Sequence, residues 1–175
     1  MNRTTAVVTI KRVKGDIASQ EGITAVVNAA NAQLMIGGGV AGAIQRAAGP
    51  GLSEECRPLA PIKPGEAVIT GGHNLPIRYV IHCLGPIYGV DKPENELLAR
   101  CYRNALKLAD EQNIDSIAFP AISTGAFGYP LEEAASIAFN TILGMASDLK
   151  NVKKIRFVLH SAKDLEIHDA ILSVL

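Results

Sequence analysis

Ser116-Ile117-Ala118-Phe119-Pro120-Ala121-Ile122 is an apolar run of strand length, and it leads directly into Ser123-Thr124-Gly125-Ala126-Phe127-Gly128. Bounded apolar runs of this kind suit strands buried on both faces. Past the glycines, Pro130 stands at or just before the first turn of a helical pattern spanning Leu131 to Ala146. Proline is well tolerated there because its missing N–H has no helical partner to lose. Strand, glycine loop and helix in succession form the repeating unit of an α/β domain, so this stretch decides the fold class.

The same alternation extends in both directions. Thr5 to Val13, Ile23 to Val27, Glu66 to Thr70, Tyr79 to Leu84 and Ile155 to His160 are further strand candidates. Glu94 to Gln112 carries a helical stripe of Leu97, Leu98, Cys101, Tyr102, Ala105, Leu108 and Ala109. Val40 to Ala48 reads as a short Ala-rich helix ended by Gly49-Pro50, and Asp164 to Val174 as a last helix. Alternating strands and helices predict a three-layer α/β/α domain with a largely parallel sheet. Ligands of such sheets bind at the carboxyl ends of the strands.

The chain has 175 residues, enough for one domain with a sizeable core. No apolar run approaches the ~20 residues of a membrane helix. The N-terminus shows no signal-peptide pattern, so a cytoplasmic protein is expected. Basic and acidic residues balance at 17 each, which leaves no excess to bind nucleic acid phosphates. Cys56, Cys83 and Cys101 are scattered, and His73, His82, His160 and His168 lack ligand spacing, so no metal or cofactor is expected.

A phosphate site in a neutral chain must rest on backbone N–H groups. Gly37-Gly38-Gly39-Val40-Ala41-Gly42 is a second glycine loop that opens a helix. Glycines let a ligand approach the backbone, and a helix start offers unpaired N–H groups. Each loop alone is equally a tight turn. The first formally matches G-x-G-x-x-G, but it stands about nine residues beyond its strand with no acidic residue at the expected distance. A dinucleotide-binding dehydrogenase is therefore disfavoured. Neither loop ends in the Gly-Lys-Ser/Thr of a P-loop.

Polar and aromatic residues surround these loops. Of Asn28 and Asn31, the first reads as structural and the second as a ligand for ribose hydroxyls. Asp16 could accept from an exocyclic amine, yet from spacing alone it is better read as a cap for Ile17–Gln20. Phe127 is either a wall for a sugar or a plug beneath its loop. His160, at a strand end, is equally a stacking group or an ordinary surface histidine. His82 reads as a hydrogen-bonded core residue with inert Cys83 beside it.

Together these segments resemble the macrodomain family. The resemblance rests on Gly15-Asp16-Ile17, Ala25-Val26-Val27-Asn28-Ala29-Ala30-Asn31, Gly37 to Ile44, Gly65 to Thr70, Tyr79 to His82, Gly85-Pro86, Ser116 to Gly125 and Tyr129-Pro130. It covers nearly the whole chain and implies a mixed six-stranded sheet between helices. It also implies an ADP-ribose ligand: Asp16 and Ile17 at the adenine amine, and His160 against the ring. Gly37, Gly38, Gly39 and Val40 would lie by the distal ribose and diphosphate. Ser123, Thr124, Gly125, Ala126 and Phe127 would wrap the phosphates, with Phe127 near that ribose and Asn31 bonded to it.

Many relatives with these motifs hydrolyse ADP-ribose esters, on Asp or Glu side chains or in O-acetyl-ADP-ribose. One subgroup carries an Asp at the position of Ala41 and a His at that of Gln45, and this chain has neither. The expectation is a substrate-assisted hydrolase in which Asn31, Gly39 and Phe127 serve the reacting end. The alternative is a reader of ADP-ribosylated partners that does not cleave them. A poly(A)-binding module is disfavoured by the neutral charge. A monomer acting on an ADP-ribosylated protein or metabolite, away from membranes, is expected.

Overall fold

Val26 and Val27 are fully buried and point to opposite faces, because successive side chains of a strand alternate. They belong to β3 (Ala25–Ala29), which lies inside the sheet between β5 (Tyr79–Cys83) and β6 (Ser116–Phe119). The computed structural model describes residues 2–4 and 8–175. The remaining strands are β1 (Asn2–Thr4), β2 (Thr9–Lys14), β4 (Ala67–Gly71) and β7 (Lys154–Leu159). The order across the sheet is β1-β2-β7-β6-β3-β5-β4.

Strands β2, β7, β6, β3 and β5 run parallel, and β1 and β4 close the edges antiparallel. The sheet is thus mixed and largely parallel, as expected. Short β1 adds a seventh strand beside the six that were expected. Residues 5–7, the start of the first expected strand, lie outside the described residues.

Helices cover both faces. On one, α3 (Glu94–Glu111), α4 (Leu131–Met145) and α5 (Ala162–Ser173) pack on Val27, Ile81, Ile117, Phe119 and Phe157. The Phe157 ring lies 4.8 Å from that of Phe139 and 5.7 Å from that of Phe119. On the other, α1 (Gly39–Ala48) and α2 (Pro50–Cys56) pack through Ile44, Ala48 and Leu52 on Val26, Val80, Ala118 and Val158. The helix α2 was not anticipated: Gly49, with φ at 84°, ends α1, and Pro50 at once begins the next helix. Among the described residues no helix is long and apolar enough to cross a membrane, and no group of three or more acidic, His or Cys side chains is placed to hold a metal.

Asn28 lies within β3 rather than past its end, opposite His82 on β5. Its Nδ2 sits 3.0 Å from His82 Nδ1. With that amide donating, the ring proton is on Nε2 and is given to Thr70 Oγ1 on β4, 2.9 Å away. This chain of buried polar side chains across three strands is structural, as read for both Asn28 and His82. Burial pushes the His82 pKa down to about 4, against a small opposing pull from Glu55.

Because the unfolded chain binds this proton more readily, the ring stabilises the fold fully above about pH 6.5 and loses that contribution as pH falls toward 4. The loss amounts to about 3 kcal/mol. Urea midpoints measured from pH 7 to pH 4 should therefore fall more steeply for the natural chain than for His82→Gln. Parallel slopes would show that the ring titrates normally.

Candidate functional site

Parallel strands deliver their carboxyl ends to one edge, and the loops leaving β2, β7, β6 and β3 surround a cleft of about 790 Å³ there. Lys14, Asp16, Ile17, His160 and Asp164 line one end. Pro120, Ala121, Thr124 and Gly125 line the far wall, and Gly39, Val40 and Ala43 of α1 form the near one. The Gly15 N–H donates to the Leu159 carbonyl at 3.0 Å, which joins β2 to β7 just below the opening.

Asp16 caps a turn and also lines the cleft. Its Oδ1 accepts from the Ala18 N–H at 2.9 Å and caps the short 3-10 turn Ile17–Ser19. The carboxylate is nonetheless exposed and lines the cleft, with Oδ2 held only weakly by Ser19 at 3.4 Å. His160 is the first residue past β7 and stands exposed on the same wall.

The first glycine loop reaches the cleft through Gly39 and Val40. Gly38 caps α1 without a side chain, and Gly39 takes a left-handed φ of 56°. The first turn of α1 leaves its amides without helical acceptors, at the positive end of the helix dipole. Gly42 must also be glycine, since a Cβ there would collide with the Gly37 carbonyl. Gly37 and Gly38 do not line the cleft itself.

The second loop is built as a cup. The Tyr129 N–H donates to the Ser123 carbonyl at 2.9 Å, and the Gly128 N–H to the Gly125 carbonyl at 3.0 Å. The amides of Gly125, Ala126 and Phe127 find no acceptor among the described residues. Ser123 holds a left-handed φ of 68°, and its hydroxyl is buried against Gly85, unpaired and away from the opening. Thr124 turns its hydroxyl to the Ala121 carbonyl at 2.8 Å. Phe127 is half-buried and packs against the hydrophobic cluster that includes Ile44, Leu52 and Val80.

Asn31 holds its own loop through both ends of its side chain. Its Nδ2 donates to the Met35 carbonyl at 2.9 Å, and its Oδ1 accepts from the Met35 N–H at 3.0 Å. Both ends of the amide thus clamp the loop before Gly37. Gln45 is likewise structural: its Nε2 donates to the Leu34 carbonyl at 3.2 Å, and its Oε1 accepts from the Ser53 hydroxyl at 3.1 Å. Ala41 is buried at 5% exposure and offers only a methyl group.

Sequence reasoning did not assign Lys14, Gly15, Ala43, Pro120, Ala121, Val158, Leu159 or Asp164 to the cleft. Strand-end position would have found Lys14, Gly15, Pro120, Val158 and Leu159. Asp164, four residues beyond His160 in the first turn of α5, becomes visible only once α5 is known to start at Ala162.

Comparison with known proteins gives one family throughout. The family model described as Macro domain matches residues 27–138. A macro domain-containing protein of Chlorobaculum tepidum is 50% identical over 167 residues, 95% of this chain and 96% of its own length. The ADP-ribose glycohydrolase MACROD2 of Homo sapiens is 49% identical over 158 residues, 89% of this chain but 37% of that protein. A structure of the Oceanobacillus iheyensis macrodomain with ADP superimposes with a TM-score of 0.94 at 42% identity, covering 99% of this chain and 95% of that one.

Proposed function

The chain belongs to the macro domain family, and on that premise we propose that its cleft binds ADP-ribose and hydrolyses ADP-ribose esters. One observation carries the binding: two amide-rich glycine loops face one cleft whose other end holds Asp16 and His160. In this reading the Asp16 carboxylate accepts from the adenine amine, the Ile17 N–H assists, and His160 lies against the ring. The amides of Gly39 and Val40 and those from Gly125 to Phe127 hold the diphosphate, with no need for side-chain charge. The distal ribose sits by Asn31, Gly39 and Phe127.

The chemistry is ester hydrolysis on a protein Asp or Glu or on O-acetyl-ADP-ribose. Water adds across the ester, and a ribose hydroxyl, a carboxylate and one proton are released. The chain offers no base at Ala41, and a general base contributes about 10²–10⁴-fold. The substrate's own phosphate would take the proton while Gly39 places the water and Phe127 aligns the sugar. Asn31 acts as a positioning residue, holding through Met35 the loop that carries these groups. A second reading, a reader that does not cleave, is favoured by the same buried methyl at Ala41 and by Gln45 being spent on Leu34 and Ser53.

The deciding experiment follows release of ADP-ribose from a protein mono-ADP-ribosylated on Asp or Glu. Release by the natural chain, with slower release by Asn31→Ala at near-normal affinity, supports the hydrolase. Confirmed binding with no release supports the reader. A Cβ at Gly125 would meet no protein atom within 4 Å, so Gly125→Val should keep the fold, as read by its thermal midpoint, yet abolish ADP-ribose binding. Asp16→Ala should cost about 1 kcal/mol of stability through the lost cap. In titrations it should weaken ADP-ribose while leaving ribose-5-phosphate, which lacks adenine, unchanged. Equal weakening of both would confine Asp16 to the cap.

A further inference from the structure

The end of the cleft that holds Asp16 is braced by a side chain that does not line it. Gly15 and Asp16 leave β2 as irregular backbone, whose buried polar groups need partners of their own. The Gly15 N–H is taken by the Leu159 carbonyl of β7. The Asp16 carbonyl accepts twice. One donor is the Ser19 N–H of its own turn, at 3.0 Å, and the other is Gln20 Nε2, at 2.7 Å.

Gln20 ends that turn and is only 9% exposed. A buried amide of this kind is costly unless both its ends are bonded. Here both are. While Nε2 holds the Asp16 carbonyl, Oε1 accepts from Arg156 Nη1 at 3.1 Å, and the same nitrogen donates to the Glu21 carbonyl at 3.0 Å. The Gln20 amide also lies against Gly15, with Nε2 3.4 Å from where a Cβ on Gly15 would stand.

Arg156 stands in β7, opposite Lys11 of β2 and Ala118 of β6. No described carboxylate pairs with it. Its rigid guanidinium fork is instead committed to two neutral oxygens, which fixes where the Gln20 amide can lie. The strand that ends at His160 therefore also anchors Asp16, through one buried side chain.

We infer that Gln20 is a positioning residue for base recognition: braced by Arg156, its amide fixes the Asp16 backbone so that the carboxylate meets the exocyclic amine of adenine. The inference rests on ADP-ribose occupying the cleft as proposed, with Asp16 at the adenine. The cap on Ala18 sets how the carboxylate sits within its own turn, whereas Gln20 sets where that turn sits on the sheet. A hydrogen bond to a ring held elsewhere weakens steeply when its acceptor is displaced. A carboxylate only accepts, so the same placement selects a base with an amine over one with a carbonyl there.

The test measures affinities for ADP-ribose, for its hypoxanthine analogue and for ribose-5-phosphate. The proteins are the natural chain, Gln20→Leu and Gln20→Glu. The natural chain should prefer ADP-ribose to the analogue. Gln20→Leu removes both amide bonds and should cut that preference roughly tenfold while leaving ribose-5-phosphate unchanged. Gln20→Glu keeps an acceptor for Arg156 and loses only the donor to Asp16. It should stay near the natural thermal midpoint and yet lose the preference as Gln20→Leu does. A preference kept by Gln20→Glu, or equal weakening of all three ligands by either variant, overturns the positioning role alone. A natural chain that binds ADP-ribose no better than the hypoxanthine analogue overturns the placement of Asp16 beneath it as well.

Discussion

The shared direction of β2, β7, β6, β3 and β5 is the constraint on which the rest depends. Parallel pairing requires each strand to return by a crossover, and crossovers place helices on the faces. The carboxyl ends must then open along one edge. Asp16, Gly39, Gly125 and His160 are far apart in sequence, yet each lies just beyond a strand of this set, or at the start of the helix that follows one. The register between β2 and β7, which runs unbroken to Lys14 and Leu159, holds two of those exits level.

That geometry lets a neutral chain hold polar ligands. The amides of the second loop are kept open because Thr124, Gly128 and Tyr129 take up the carbonyls around them. The start of α1 is kept open because Gly42 lets the Gly37 carbonyl sit against the helix. Two side-chain clamps complete the frame, Asn31 on Met35 and Gln45 on Leu34 and Ser53. Rigidity in this region comes from short-range bonds to the backbone, which ionic strength barely alters.

Much of this was legible in the sequence because the signals are local. Apolar runs located the central strands to within about three residues, and Pro130 and Gly49 marked helix ends correctly. His82 and Cys83 were recognised as core because a strand buried on both faces has no other place for them, and Asn28 was recognised as structural, although inside the strand rather than in a turn beyond it. What stayed hidden depends on distance in space. The cap and the cleft position of Asp16 looked like rivals, although one carboxylate has two oxygens and serves both. Asn31 looked free because nothing in its spacing announces that Met35 will meet both ends of its amide. The loop fastened by Tyr88 to Phe127 joins segments about forty residues apart, which no periodicity reports.

The Gln45 amide limits what can stand in its place. It closes two bonds at once, to Leu34 and to Ser53, and it is 1% exposed. A buried partner left unsatisfied costs about 1–3 kcal/mol. Installing the subgroup's His at this position would strand the Leu34 carbonyl or the Ser53 hydroxyl before any benefit arose from a new Asp at position 41. The packing around this amide therefore resists change at position 45 alone, because a new side chain there must satisfy two separate partners at once.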